Sequence, residues 1–320
     1  VVYLRTFDQK VVEKTMSHAH LANGDFYNSS SIFNFDAIVE AYEDHARALG
    51  WMIRDTDAFL RGCVGTKKIL LEGAQGVLLS VDHGIQPHVT SSDCTLAGLT
   101  KGVGLTVRDV DQTYGIVKAF FMTRVGVGVF PTELGGEASA TWCNDPDVTV
   151  KDERQKYPKA SVNSADPFEQ GVGIRLQGAE YGATTGRPRR TGWLDLPLLR
   201  YAMRYASESL ILTKLDVLDE CETIRICVSY KYLGKRYDMG EKIIEHGDEI
   251  RVAIPNNDVL KYVQPVYRDF PGWLCKISDI RSATDLPTNL IAIIAFLEAE
   301  TGAKVAAVSV GPSREQTIAL

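Results

Sequence analysis

Three arginines stand close together in this chain. Arg187, Arg189 and Arg190 fall in the run 182–195, GATTGRPRRTGWLD, in a loop opened by Gly182 and Gly186 and stiffened by Pro188. Guanidinium groups grip carboxylates and phosphates through paired N–H bonds, and the hydroxyls and free amides of Thr184 and Thr185 suit an anion nest. A solvated basic turn is the plain alternative. The glycines and threonines packed around the arginines weigh towards an anion-binding loop of an enzyme that handles nucleotides and carboxylates.

A second candidate is TKLD, residues 213–216, at the end of the apolar stretch SLIL. A carboxylate at a strand's end can accept both the N1–H and the amino group of guanine, while a lysine stem lies across the ring face. Alone, the tetrapeptide is more often an ordinary strand terminus with a surface ion pair, so its weight comes from its company. A third candidate is GAQG with the loop that follows it, where Gln75 offers an amide suited to a purine edge and Thr90 a hydroxyl for a phosphate. His83 and His88 lie between them without a third ligand at metal-binding spacing, and read as polar loop histidines, as do His18 and His20.

Other chemistries have no foothold. The chain holds no G-x-x-x-x-G-K-[ST], and the glycine pairs Gly102/Gly104, Gly126/Gly128 and Gly171/Gly173 all fail G-x-G-x-x-G at its last position. It also lacks G-x-S-x-G, C-x-x-C and H-E-x-x-H, which removes the usual hydrolase, redox and zinc-peptidase signatures.

The elements that must position these residues follow from periodicity. Apolar residues at helical spacing predict an amphipathic helix over 36–49 and a second helix through 58–60. The run KKILLEG, 67–73, predicts a short strand stopped by glycine, with a tight turn over 73–76. A polar loop, DHGIQPHVTSSDCT, leads to the β-rich run YGIVKAFFMTRVGVGVFP, ended by two glycines and a proline. The polar segment 135–180 reads as a surface insertion. Then come a helix over 196–207, a buried strand in SLILTKLDVLD, a hairpin in RICVSYKYLGKRYDM turning at Gly-Lys, a helix in PTNLIAIIAFLEAETG closed by glycine, and a last strand in AKVAAVSVGPS. Strands alternating with helices predict an α/β fold with a mainly parallel central sheet flanked by helices, and a ligand crevice at the carboxyl ends of the strands.

With 320 residues, 45% apolar and 24% charged, the composition is that of a globular protein, and we read 1–320 as a single α/β nucleotide-binding domain. The net charge of −6 opposes a duplex-binding surface, so no nucleic-acid partner is expected, while small anions remain suitable ligands. No apolar run reaches the roughly 18 residues needed to span a bilayer, so no membrane partner is expected. The six cysteines are scattered and read as reduced thiols in a cytoplasm.

In order, LLEGAQGVLLSVDHGIQPHVTSS, KAFFMTRVGVGVFPTEL, YGATTGRPRRTGWLD, LTKLDVLD and VSVGPSREQT closely resemble adenylosuccinate synthetases. The resemblance runs from about Ile69 to the C-terminus. It implies a fold related to the P-loop NTPases, a cytoplasmic homodimer, and a C–N ligase of AMP biosynthesis that joins IMP to L-aspartate with GTP and Mg²⁺ through 6-phosphoryl-IMP. It implies further that Ala183, Thr184, Thr185, Gly186, Arg187, Pro188 and Arg189 bind aspartate. Arg187 would also meet IMP, and Arg189 the GTP phosphates. Gln75, Thr90 and Val125 would contact IMP, with Gln75 and Arg187 nearest the chemistry. Lys214, Leu215 and Asp216, with Ser309, Val310 and Gly311, would hold guanine.

The family's GDEGKGK-type loop, its AGHT-type histidine and the arginine lent across its dimer interface have no counterpart in these 320 residues. The expectation is that the chain is a piece of a longer enzyme whose N-terminal region holds the Mg²⁺ ligands. A split enzyme, a catalytically dead purine-nucleotide-binding remnant, and a relative using dGMP and ATP are the alternatives.

Overall fold

A computed structural model describes residues 35–320 apart from Thr184 and Glu241. Thr184, His18 and His20 therefore lie outside the described residues. By contact the chain divides into two compact units, Val1–Lys67 and Lys68–Leu320, where the sequence reads as one domain. In the first, helix α1 (Phe35–Leu49) matches the predicted amphipathic helix, with Val39 buried. Helix α2 (Thr56–Cys63) starts where the Asp55 carboxylate accepts the Ala58 N–H at 2.9 Å. No helix among the described residues is long and apolar enough to cross a membrane.

The second unit carries every candidate residue. After helix α3 (Leu96–Gly102), strands β1 (Gly115–Lys118) and β2 (Phe121–Arg124) run back to back through a sharp turn at Phe120. Helices α4 (Gly136–Asn144), α5 (Val150–Lys156) and α6 (Pro167–Gly178) follow, then β3 (Arg190–Asp195), α7 (Leu196–Met203) and β4 (Ser209–Thr213). The remainder is β5 (Thr223–Tyr232), β6 (Tyr237–Asp238), β7 (Ile243–Ile244), β8 (Glu249–Ile250), β9 (Val263–Pro271), α8 (Thr288–Thr301), β10 (Lys304–Ser309) and β11 (Thr317–Ala319).

Strands β1, β4 and β10 form the predicted parallel sheet, with β11 antiparallel on its edge. Leu212, Val305 and Val308 are buried in its core, Leu210 is buried beside them, and α8 covers it with Leu290, Ile293, Ile294 and Leu297, one helical face. Gly302 ends α8 in the left-handed conformation, as predicted. A second sheet, β2-β3-β5-β8 with β9 on β5, is mostly antiparallel. All six residues of β3 are buried, and Asp195 at its end caps α7 by accepting the Leu198 N–H at 3.0 Å.

Three expectations fail. The run 67–73 is not a strand: among the described residues no neighbour pairs with it, and Leu70 is 88% exposed. A short apolar run states a preference, but a strand exists only where a partner takes its backbone hydrogen bonds. Nor does the Gly-Lys turn make a hairpin on β5. Strand β6 pairs with β7, while β5 gives one full edge to β9, with β8 pairing at its end.

The segment 135–180 is not a surface insertion. Its helix α6 buries Gly171, Val172, Gly173, Ile174, Arg175 and Gly178. Two of its charges form a core pair, Glu153 and Arg175, both fully buried and paired at 2.6 Å, while Asp145, Asp147, Lys151 and Arg154 stay exposed. The glycines allow close approach, since a β-carbon on Gly173 would stand 2.2 Å from the Ser161 backbone.

Candidate functional site

The arginine loop is a closed turn on a firm base. Tyr181 and Pro188 bridge its foot, Gly182 N–H donates to Arg187 O at 2.8 Å, and Gly186 N–H donates to Gly182 O at 2.8 Å. Gly186 sits at φ 67°, a conformation natural to glycine. Beneath the loop, the Tyr181 hydroxyl donates to Glu153 at 2.6 Å, and Arg175, on the same carboxylate, donates to Thr191 at 3.1 Å. Both ends of the loop thus rest on one buried network. Arg187 is half-buried, and among the described residues no side chain bonds its guanidinium.

Glu180, just before the loop, is fully buried and gathers three cations. Its Oε2 takes Lys118 Nζ at 2.7 Å and Arg189 Nη1 at 2.8 Å, and its Oε1 pairs with Lys214 Nζ at 2.7 Å. Burial alone would raise the Glu180 carboxyl, but Lys118 and Lys214 hold it below the usual carboxylate value. Burial also lowers Lys118, against the pull of Glu180.

The same geometry places the strand ends. Lys118 pairs with Thr213 in register, and Val308 with Leu212, so the carboxyl ends of β1, β4 and β10 lie side by side. This brings Lys214, Leu215 and Asp216 beside Ser309, Val310 and Gly311. Lys214 adopts φ 61°, and its ammonium, anchored on Glu180, also donates to Gly178 O at 2.6 Å, which fixes the stem. Leu215 and Val310 are buried beneath, and Ser309 Oγ donates to Gly311 O at 2.8 Å. Burial raises the Asp216 carboxyl above its ordinary value, with Lys214 opposing.

Gln75 and Thr90 belong to a neighbouring loop. Ser80 Oγ donates to Asp93 at 3.0 Å, and Thr90 N–H to Leu79 O at 2.8 Å; Gln75 is exposed in the tight turn, its Oε1 3.6 Å from Cys94 Sγ. Against this loop packs the turn after β2, where a β-carbon on Gly128 would lie 2.7 Å from His88. Arg190 fixes that turn, donating to Gly126 O at 3.0 Å and Gly128 O at 2.8 Å while paired with Glu133. Val125, on the turn, is 63% exposed. Burial draws the Arg124 guanidinium down to about 10, and its Nη2 has no hydrogen-bond partner among the described residues. No hydrogen bond or ion pair among the described residues joins Gln75 or Thr90 directly to the arginine loop. His83 stacks on Tyr205, ring centroids 4.0 Å apart.

Residues 2–318 match the family profile described as adenylosuccinate synthetase. The chain belongs to that family. It is 39% identical to the adenylosuccinate synthetase of Geotalea daltonii over 291 residues, 90% of this chain and 57% of that protein. With the enzyme of Caldanaerobacter subterraneus subsp. tengcongensis it shares 37% over 311 residues, 97% of this chain and 62% of that protein. The fully ligated adenylosuccinate synthetase of Plasmodium falciparum superposes with a TM-score of 0.73 at 27% identity, covering 97% of this chain and 62% of that one. The chain therefore spans about six-tenths of the length of these relatives.

Sequence reasoning overlooked Glu180 and Lys118. Both carried a weak signal: Glu180 stands two residues before the loop, and Lys118 lies within a predicted β-rich run. A lone carboxylate or lysine there looks like any surface charge. Only the fold shows that the two meet.

Proposed function

We propose that this chain carries the aspartate clamp and the guanine-reading end of an adenylosuccinate synthetase. In this reading GTP phosphorylates O6 of IMP, and the amine of L-aspartate displaces that phosphate at C6 to give adenylosuccinate, GDP and phosphate. Arg187, with no side-chain partner among the described residues, grips the aspartate carboxylate and reaches IMP. Ala183, Thr184, Thr185, Gly186 and Pro188 shape the clamp. Arg189 turns towards the GTP phosphates. Such a reaction asks mainly for positioning and for positive charge at the transferring group, which clustered arginines supply.

Lys214 offers its stem to the ring face, and Asp216 accepts the N1–H and amino group of guanine. Leu215, Ser309, Val310 and Gly311 close that pocket. Gln75, Thr90 and Val125 border IMP. The reading includes a homodimer in the cytoplasm, with Mg²⁺ accompanying the triphosphate. Among the described residues no group of three or more His, Cys, Asp or Glu side chains gathers around a metal position.

The observation that carries the reading is the convergence of the arginine loop and the ends of β4 and β10 through Glu180 and Lys214. Calorimetric titration of the chain with GTP, ITP and ATP tests it. GTP is expected to bind most tightly. Equal affinities, or a preference for ATP, would overturn the base assignment.

A further inference from the structure

One cation is enough to neutralise one buried carboxylate, yet Glu180 has three. Lys118, Arg189 and Lys214 come from the end of β1, the foot of the loop and the end of β4, and their heads lie within 2.7–2.8 Å of its two oxygens. The contact group thus holds three positive charges and one negative. Its carboxylate is shut away from water, while the cation side chains remain 26%, 31% and 38% exposed. Arg189 also keeps Nε buried without a hydrogen-bond partner among the described residues. Like charges drawn so close repel one another, and a surplus of two positive charges on partly exposed side chains suits a multiply charged anion.

Resting on the reading above, we propose that Glu180 is a positioning residue that clasps Lys118, Arg189 and Lys214 into one binding cluster for the polyphosphate of a nucleotide, and that Lys118 is a direct contact to that polyphosphate. A polyphosphate matches the surplus of two charges; the amino-acid substrate, with a single net negative charge, does not. Because Arg189 is shared between cluster and loop, the clasp also ties the position of the aspartate loop to the nucleotide end of the site.

Titration of the chain with GTP, inorganic tripolyphosphate and guanosine separates the two levels of interpretation. Lys118→Met is expected to weaken GTP and tripolyphosphate roughly tenfold, the scale of one charge-assisted contact, and to leave guanosine unchanged. Lys118→Arg recovers most of the loss. Glu180→Gln is expected to weaken both anions as well, although it makes the cluster more positive. Attraction by charge alone predicts the opposite sign. Unchanged tripolyphosphate affinity in Lys118→Met, unchanged or tighter binding in a folded Glu180→Gln, or no tripolyphosphate binding by the parent chain overturns the clasp. Thermal melting accompanies each variant, and if Glu180→Gln fails to fold, Lys118→Met and Lys118→Arg decide. If guanosine does not bind while tripolyphosphate binding depends on Lys118, the clasp stands and the guanine reading falls.

Discussion

Arg175 and Glu153 form an ion pair with no exposure to solvent. Arg175 Nε and Nη2 lie 2.9 and 2.6 Å from Glu153 Oε1, and Trp142 and Tyr181 donate to the same carboxylate at 2.9 and 2.6 Å. Each of the three guanidinium nitrogens of Arg175 has a hydrogen-bond acceptor. A network of this kind is costly to break because the surviving charge stays buried.

Glu153→Gln is therefore expected to lower stability by about 3–5 kcal/mol, the scale for a broken buried pair. Denaturant unfolding measures it. A loss below about 1 kcal/mol, the surface-pair scale, would mean that the pair does not hold the base of the loop.

Arg187 and Arg189 differ in attachment, and their variants should differ accordingly. In titration of the chain with L-aspartate in the presence of IMP and GTP, Arg187→Ala is expected to weaken aspartate binding roughly a hundredfold, as for loss of a bidentate carboxylate contact. GTP affinity, measured by titration, should hardly move. Equal losses of both would place Arg187 elsewhere in the site.

Asp216→Asn replaces one acceptor with a donor that faces another donor. The preference for GTP over ITP should fall roughly tenfold or more, as buried donors and acceptors lose their match. A preference equal to that of the parent chain would remove Asp216 from base reading.

Asp195 gives a pH signature. Burial pushes its carboxyl from 3.8 up to about 7, despite the bond from Tyr230 and the Leu198 N–H. The folded state therefore holds a proton that the unfolded chain has released, so this group's contribution to stability falls as pH rises from about 4 to about 7 and is level above that. The decline amounts to about 4 kcal/mol in order of magnitude, at 1.36 kcal/mol per unit. In Asp195→Asn, which retains an oxygen for the helix cap, unfolding between pH 4 and 7 should show a flatter decline than the parent. The same slope in both proteins would contradict the assignment.

Gly173→Ala sets a β-carbon 2.2 Å from the Ser161 backbone, where no flexible side chain can give way. A loss of about 1–3 kcal/mol is expected from overpacking, read as a shift in the denaturation midpoint. No change would mean that α6 can move off that backbone freely.

The sequence by itself determined the family and the parallel sheet. Arg187, Arg189, Lys214 and Asp216 declare their types at fixed spacing, and α1, α8, β4 and β10 follow from local periodicity, which one chain segment carries alone. Pairing decided the rest. KKILLEG and the Gly-Lys turn each had a credible local pattern, but whether a strand or hairpin forms depends on which backbone lies alongside, and no residue of the segment encodes that. The segment 135–180 looked solvated because of runs such as NDPD and KDERQKYPK; only the meeting of Glu153 with Arg175 across 22 positions makes part of it a core. Glu180 is the sharpest case. As a letter it is one acidic residue beside a loop, and it becomes a clasp because the fold brings Lys118, 62 positions earlier, and Lys214 to the same two oxygens. Long-range electrostatic contacts of that kind have no period, and tertiary structure alone decides them.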